Sequence, residues 1–154
     1  MAIRLARYSD IEQIEKLLYQ VHDVHATIRP DLFVKGMKKY TKEELKMIID
    51  DEKRPIYVYE AENIIGYAFC IILENKSNSL QKIKTLYIDD LCVLDTARNN
   101  HIGTKLYDYV CKKAKEFGCY NITLNVWAGN DRAQKFYEKL GMKVQKVGME
   151  HIIK

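Results

Sequence analysis

The stretch YIDDLCVLDTARNNHIGTKLYDYVCKKAKEFGCYNITLNVWAGNDRAQKFYEKLG, from Tyr87 to Gly141, decides how this chain is read. Ile83 to Val93 is strongly strand-like, and Asp95 to Asn100 is a polar turn. Ile102, Leu106, Tyr109, Val110, Ala114 and Phe117 recur at helical spacing until Gly118 stops them. Asn121 to Val126 alternates, with Ile122, Leu124 and Val126 on one face. Asn130 or Asp131 then caps a last helix with Ala133, Phe136, Tyr137 and Leu140 inward, and Gly141 ends it.

The passage from Val93 into the helix at Ile102-Gly103-Thr104 carries chemistry. A helix's first turn leaves backbone N–H groups unpaired and adds positive potential from its dipole. Arg98 and the small Gly103 stand where an anion could approach that backbone, which is a phosphate-binding arrangement. Taken alone, the loop suits an ordinary strand-to-helix connection as well.

Working outward, Ala2 to Arg7 alternates as a short strand. Ser9 or Asp10 caps a helix with Glu12 completing a capping box, and Ile11, Ile14, Leu17, Leu18 and Val21 mark its apolar face. Arg29-Pro30-Asp31 breaks that pattern. A second helix begins at Thr41, with Glu44 as its box partner and Leu45, Ile48 and Ile49 as its stripe. Ile56–Glu60 and Ile64–Leu73 read as a hairpin turning at Glu62-Asn63, Glu74 to Gln81 as a loop, and Met142 to Ile153 as a weak final strand or hairpin. The order βααβββαβαβ predicts an α/β fold with a mixed sheet.

The 154 residues fit one domain, 1–154, with 47% apolar and 30% charged residues. No run of apolar residues is long enough for a membrane helix, and Met1 to Asp10 lacks the apolar core of a secretory signal, so a cytoplasmic protein is expected. The net charge of +4 comes from 25 basic and 21 acidic residues that alternate, as a solvated surface does and a nucleic-acid footprint does not. Cys70, Cys92, Cys111 and Cys119 form neither a disulfide framework nor a zinc pattern. His22 and His25 share a helix face but lack a third ligand nearby, so no metal is expected.

Arg98-Asn99-Asn100-His101-Ile102-Gly103, followed by Asn130-x-x-Ala133-x-x-Phe136-Tyr137-Glu138-Lys139-Leu140-Gly141, resembles the GNAT superfamily, the GCN5-related N-acetyltransferases. The likeness covers at least Ile83 to Gly141. His101 departs from it, standing where the family's first loop glycine is usual. The resemblance implies a mixed sheet of about six or seven strands with about four helices, in which two splayed parallel strands, Ile83–Val93 and Asn121–Val126, open a cleft for acetyl-CoA. It implies that backbone groups of Leu91, Cys92 and Val93 hold the pantetheine arm and the thioester carbonyl. Arg98, Asn99, Asn100, His101, Ile102, Gly103 and Thr104 would wrap the pyrophosphate, Asn130 would bond the pantetheine amides, and Tyr137 would point at the thioester sulfur.

A primary amine is protonated at neutral pH, with a reference pKa of about 10.4, and a carboxylate can take its proton before attack. Asp89 and Asp90 are the candidates. Their strand resembles that of the spermidine/spermine acetyltransferases, which makes Asp89 the base by position. Adjacent strand residues face opposite sides, so one aspartate alone reaches the cleft unless a bulge intervenes. A Cys92 or Val93 N–H would stabilise the oxyanion. The segment carrying His22, His25 and Phe33 follows the first helix and is expected to border the acceptor. The expected activity is therefore acetyl-CoA-dependent N-acetylation of a primary amine on a small molecule or peptide, with no nucleic-acid or membrane partner and a homodimer left open. The alternative is a non-catalytic acyl-CoA sensor or interaction module.

Overall fold

The computed structural model describes residues 2–154, without the side chain of Asn99. Five strands form one mixed sheet in sequential order: β1 (Ala2–Leu5), β2 (Ile56–Glu60), β3 (Ile64–Glu74), β4 (Lys84–Val93) and β5 (Asn121–Leu124). The first four pair antiparallel; β4 and β5 pair parallel. Helices α1 (Ile11–Ile28) and α2 (Lys42–Ile49) cover one face, and α3 (Ile102–Glu116) and α4 (Asp131–Lys139) the other.

The sheet has five strands rather than six or seven. The difference lies in Met142–Ile153, which forms no strand among the described residues. Its alternation is strand-like, but no neighbouring edge pairs with it. The expected α4 stripe is also only partly realised: no α4 residue is fully buried, although Tyr137 and Leu140 pack on the α3-side core.

The α1 face is built from Ile11, Ile14, Leu17 and Leu18, which meet Ile56, Val58, Tyr67 and Phe69 of the sheet. Each such buried side chain contributes about 1.5–3 kcal/mol. The Ser9–Glu12 box does not form. A short 3₁₀ turn over Tyr8–Asp10 precedes α1, and Asp10 itself is recruited elsewhere. Its carboxylate takes both guanidinium N–H groups of Arg4, at 2.8 and 3.0 Å, and the Arg7 N–H at 2.8 Å. The second box does form: Glu44 N–H donates to Thr41 Oγ1 and Thr41 N–H to Glu44 Oε1, a cap of about 1 kcal/mol.

On the opposite face α3 lies very close to β3. A Cβ on Gly66 would stand 2.9 Å from Leu106 Cδ1 and 3.3 Å from the Cys92 carbonyl oxygen, so only glycine fits there. Tyr57, Ala68, Cys70, Leu86 and Ile88 pack with Tyr107, Val110 and Ala114 in this layer. All four cysteines are free thiols.

Asp10 is almost completely buried. Burial alone would push its pKa up, but the Arg4 and Arg7 bonds outweigh it and hold the carboxyl below the usual range. A depressed carboxylate stabilises the fold above its unfolded pKa and loses that contribution as pH falls through the folded one. Arg4→Met should therefore cost about 3–5 kcal/mol near neutral pH by leaving a buried charge without its partner. Its deficit against the parent should narrow in acid; urea unfolding of both proteins at about pH 7 and pH 2.5 checks the sign.

Candidate active site

Past Ile88 and Leu124 the parallel pairing of β4 and β5 stops, while β4 continues to Val93. The two strands part there, and the chemistry-bearing residues gather around the gap.

Strand β4 reaches this gap through a bulge. Phe69 of β3 pairs with Asp90, but the next residue, Cys70, pairs with Ile88, leaving Asp89 without an opposite number. Ile88 faces the α3 layer, whereas Cys92 faces α1. The extra residue reverses the alternation between them, so both aspartates turn to the α1–α2 side.

Their surroundings differ. Asp89 Oδ1 accepts from Lys39 Nζ at 2.8 Å and Oδ2 from the Tyr40 hydroxyl at 2.5 Å. Tyr40 is stacked on Phe69 and receives a bond from Arg54. Asp89 is thus tied down by groups from the segment between α1 and α2. Asp90 accepts from the Tyr67 hydroxyl at 2.6 Å and from the Leu91 backbone N–H. Burial raises its pKa to about 6, against the opposing pulls of Tyr67 and Lys39. It keeps partial solvent access through the gap. The position expected for the base, Asp89, is therefore the more occupied carboxylate, and Asp90 is the one whose proton affinity suits proton exchange near neutrality.

Across the gap the Tyr137 hydroxyl makes no hydrogen bond among the described residues, and the residue is partly exposed. Burial pushes its phenol up, and the nearby Asp90 carboxylate adds to this. The hydroxyl is protonated at neutral pH and free to donate.

The phosphate-loop residues lie together at the start of α3. Asp95–Asn100 forms a 3₁₀ turn in which Arg98 pairs with Asp95 at 2.9 Å. His101 is the one non-glycine with positive φ among the described residues, at φ 57° and ψ 25°. The loop thus imposes the left-handed conformation at the place where glycine was expected, and histidine adopts it. No side chain caps α3, so the first-turn N–H groups of Ile102, Gly103 and Thr104 stay available to an anion. Gly103 has a second reason to be small: a Cβ there would come within 3.1 Å of the Phe136 ring of α4. The Asn99 side chain lies outside the described residues. Asn130 caps α4, its Oδ1 accepting from Ala133 N–H at 3.3 Å, so its amide nitrogen is what remains for a ligand.

The strand residues Leu91 and Val93 pack toward α3, and the Cys92 thiol points at the Leu17 carbonyl. The Val93 carbonyl is already taken by Gln20 Nε2 at 2.9 Å, while Gln20 Oε1 accepts from Asp95 N–H at 3.1 Å. That carbonyl thus already has one partner within the chain. Gln20 carries no motif that would mark it in the sequence, and neither do Lys39, Tyr40 and Tyr67.

His22 and His25 sit on α1, which runs to Ile28, rather than after it. Both rings contact Phe33, which meets Trp127 edge-on at 5.6 Å. His22 Nε2 bonds the Val34 carbonyl. Burial lowers the His25 pKa, with help from His22 and Lys39. The cluster joins the end of α1 to the loop after β5. Among the described residues no three His, Cys, Asp or Glu side chains come together as metal ligands.

The chain belongs to the acetyltransferase (GNAT) family, whose model matches residues 18–142. It is 32% identical to a solved mutant form of the BH1408 protein from Bacillus halodurans, with a TM-score of 0.94 and 99% of each chain covered. It is also similar to a D-amino-acid N-acetyltransferase of Saccharomyces cerevisiae, 32% identical over 57% of this chain and 53% of that protein. A chloroplastic GCN5-related N-acetyltransferase of Arabidopsis thaliana is 28% identical over 58% of this chain and 30% of its own length. The match thus spans about a third to a half of these two curated relatives.

The left-handed His101 gives the loop a measurable strain. His101→Gly should preserve CoA affinity and stabilise the fold by up to about 1 kcal/mol, whereas His101→Val should destabilise it by about 1–2 kcal/mol. Chemical unfolding with calorimetric CoA titration checks the order; a glycine variant less stable than the parent would mean that the imidazole earns its place by contacts.

Proposed function

We propose that this protein transfers an acetyl group from acetyl-CoA to a primary amine by direct attack, with Asp90 as proton acceptor and Tyr137 as proton donor. The observation that carries this reading is the pairing of a carboxyl with a pKa near 6 and a free, protonated phenol in one gap between splayed strands. The bound acetyl-CoA supplies the acetyl group as a thioester. The uncapped N-terminus of α3 suits its pyrophosphate, and the open edge of β4 beyond Ile88 suits its amide-bearing arm.

The acceptor arrives as an ammonium. Lys39 and Arg54, both beside Tyr40, place positive charge around the mouth, which favours loss of the acceptor's proton. Asp90, directly or through one water, takes that proton. The nitrogen lone pair forms the C–N bond, the C–S bond breaks, Tyr137 protonates the departing sulfur, and the second proton released by the nitrogen returns to the phenolate through water. Asp89, bonded to Lys39 and Tyr40, positions the α1–α2 segment over the mouth. Because one matched relative is named for D-amino acids, amino acids lead the acceptor panel, followed by polyamines, amino sugars and peptide N-termini. Thiol release with no amine in that panel, while CoA binds, would reduce the protein to a binder.

Asp90 serves as a base in its carboxylate form, present above about pH 6 and lost below it. The Tyr67 hydroxyl favours that form, so Tyr67→Phe should raise the Asp90 pKa and move the acid limb of kcat/KM to higher pH. Asp90→Asn should lower turnover by roughly a hundredfold or more, with partial recovery at alkaline pH where free amine accumulates. A pH profile of Asp90→Asn parallel to the parent would exclude Asp90. Tyr137→Phe should lose roughly tenfold to a thousandfold in kcat at every pH while binding acetyl-CoA normally.

A further inference from the structure

The chain from Lys38 to Lys42 carries three lysines that find different partners. Lys38 and Lys42 pair with Glu15 of α1, at 3.4 and 3.6 Å. Lys39 goes instead to β4. Its Nζ donates to Asp89 Oδ1 at 2.8 Å and lies 5.4 Å from the centre of the Tyr40 ring. The Asp89 side chain is 9% exposed, whereas that of Lys39 is 49% exposed. The Lys39 charge also bears on Asp90 and on His25, lowering the pKa of each.

A lysine side chain is a primary amine on a flexible four-carbon stem. Lys39 therefore belongs to the acceptor class proposed above, and it is held beside the carboxylates that would serve any acceptor. Asp89 lies two residues before Leu91, about 6–7 Å along a strand, a distance within the swing of that stem. Proton transfer to Asp90 does not distinguish a free amine from one supplied by the chain itself. An amine supplied by the chain is also present at a high effective concentration.

We propose that Lys39 is a self-acetylation site, at which the chain moves the acetyl group of its own bound acetyl-CoA to Lys39 Nζ when no acceptor is present. The proposal rests on the reaction proposed above. One proton of the Lys39 ammonium passes to Asp90, directly or through one water. The nitrogen forms the C–N bond to the thioester carbon, and the C–S bond breaks. Tyr137 protonates the sulfur, and the second proton released by the nitrogen returns to the phenolate through water. The products are an acetylated lysine with one N–H, free CoA and one proton, so no other reactant is needed. The amide carries no charge. Asp89 then keeps Tyr40 but loses its ammonium, which loosens the hold of β4 on the α1–α2 segment. A surplus of acetyl-CoA over acceptor is thereby recorded in the state of that segment.

The test starts from the full chain with Lys39 mapped as free, and adds acetyl-CoA without any amine. Intact mass and peptide maps should show one acetyl group on Lys39, arriving roughly tenfold or more ahead of Lys38 and Lys42. The rate per molecule should saturate with acetyl-CoA, fall when CoA is added, and stay constant over a wide range of protein concentration. Lys39→Arg keeps a cation for Asp89 but offers no primary amine, so this variant should stay unmodified. The amine panel is run beside it. Transfer to an amine of the panel with Lys39 unmodified overturns self-acetylation and leaves the proposed function standing. No transfer to Lys39 or to any amine overturns both. Equal acetylation of all three lysines, or a rate linear in acetyl-CoA, means chemical modification from solution and overturns the proposal. A rate that climbs with protein concentration means transfer between copies and overturns it as well.

Discussion

Between Ile88 and Asp90, strand β4 carries one residue more than β3 opposite it, and the alternation of its side chains reverses there. Everything at the site follows from that insertion. Without it, Asp90 would share the α3 face of Leu86 and Ile88, away from Tyr67. With it, Asp90 reaches Tyr67, and Asp89 reaches Lys39 and Tyr40. A bulge costs one ladder position and weakens the strand locally. Here it falls where β4 parts from β5, so the disruption and the opening coincide.

Two neighbouring carboxylates then acquire different chemistry from their partners alone. Asp89 has an ammonium and a phenol bonded to separate oxygens, and its role is to hold a segment. Asp90 has a single hydroxyl and a surrounding of low polarity. The second environment favours the neutral acid, which is why its affinity for a proton moves toward neutrality while it remains reachable through the gap.

Much of this was legible in the residues. The second capping box, the hairpin at Glu62-Asn63, the glycine stops at Gly118 and Gly141, and the α3 stripe as far as Ala114 rest on local rules and were found where those rules put them, whereas Phe117 is exposed and Tyr107 takes a buried place. The turn from Asp95 to Asn100 and the helix start at Ile102 were legible from the polar run and the spacing after it. His101 was readable as a departure, and the structure supplies its meaning: the backbone demands positive φ whichever residue is present. What was hidden depends on distant pairs. An Asp-Asp doublet carries no sign of which residue bulges, since that is set by register against β3. Lys39 and Tyr40 lie about fifty positions from Asp89, and Gln20 more than seventy from Val93. The final segment misled for the opposite reason. Its local pattern is a strand's, but a strand also needs an edge, and alternation says nothing about whose.

Gln20 deserves a mechanical reading. Its one amide grips the Val93 carbonyl with its nitrogen and the Asp95 N–H with its oxygen, so a single side chain spans from α1 to the exit of β4. Helix α1 also carries His22 and His25, whose rings contact Phe33, while Asp95 opens the turn that leads into α3. Helix α1 and the turn before α3 are therefore joined by one short strut. An acceptor that tilts α1 would pull on the turn, and a cofactor that tightens the turn would stiffen α1. Linkage makes such coupling equal in both directions: whatever Gln20 transmits from α1 to the turn it transmits back.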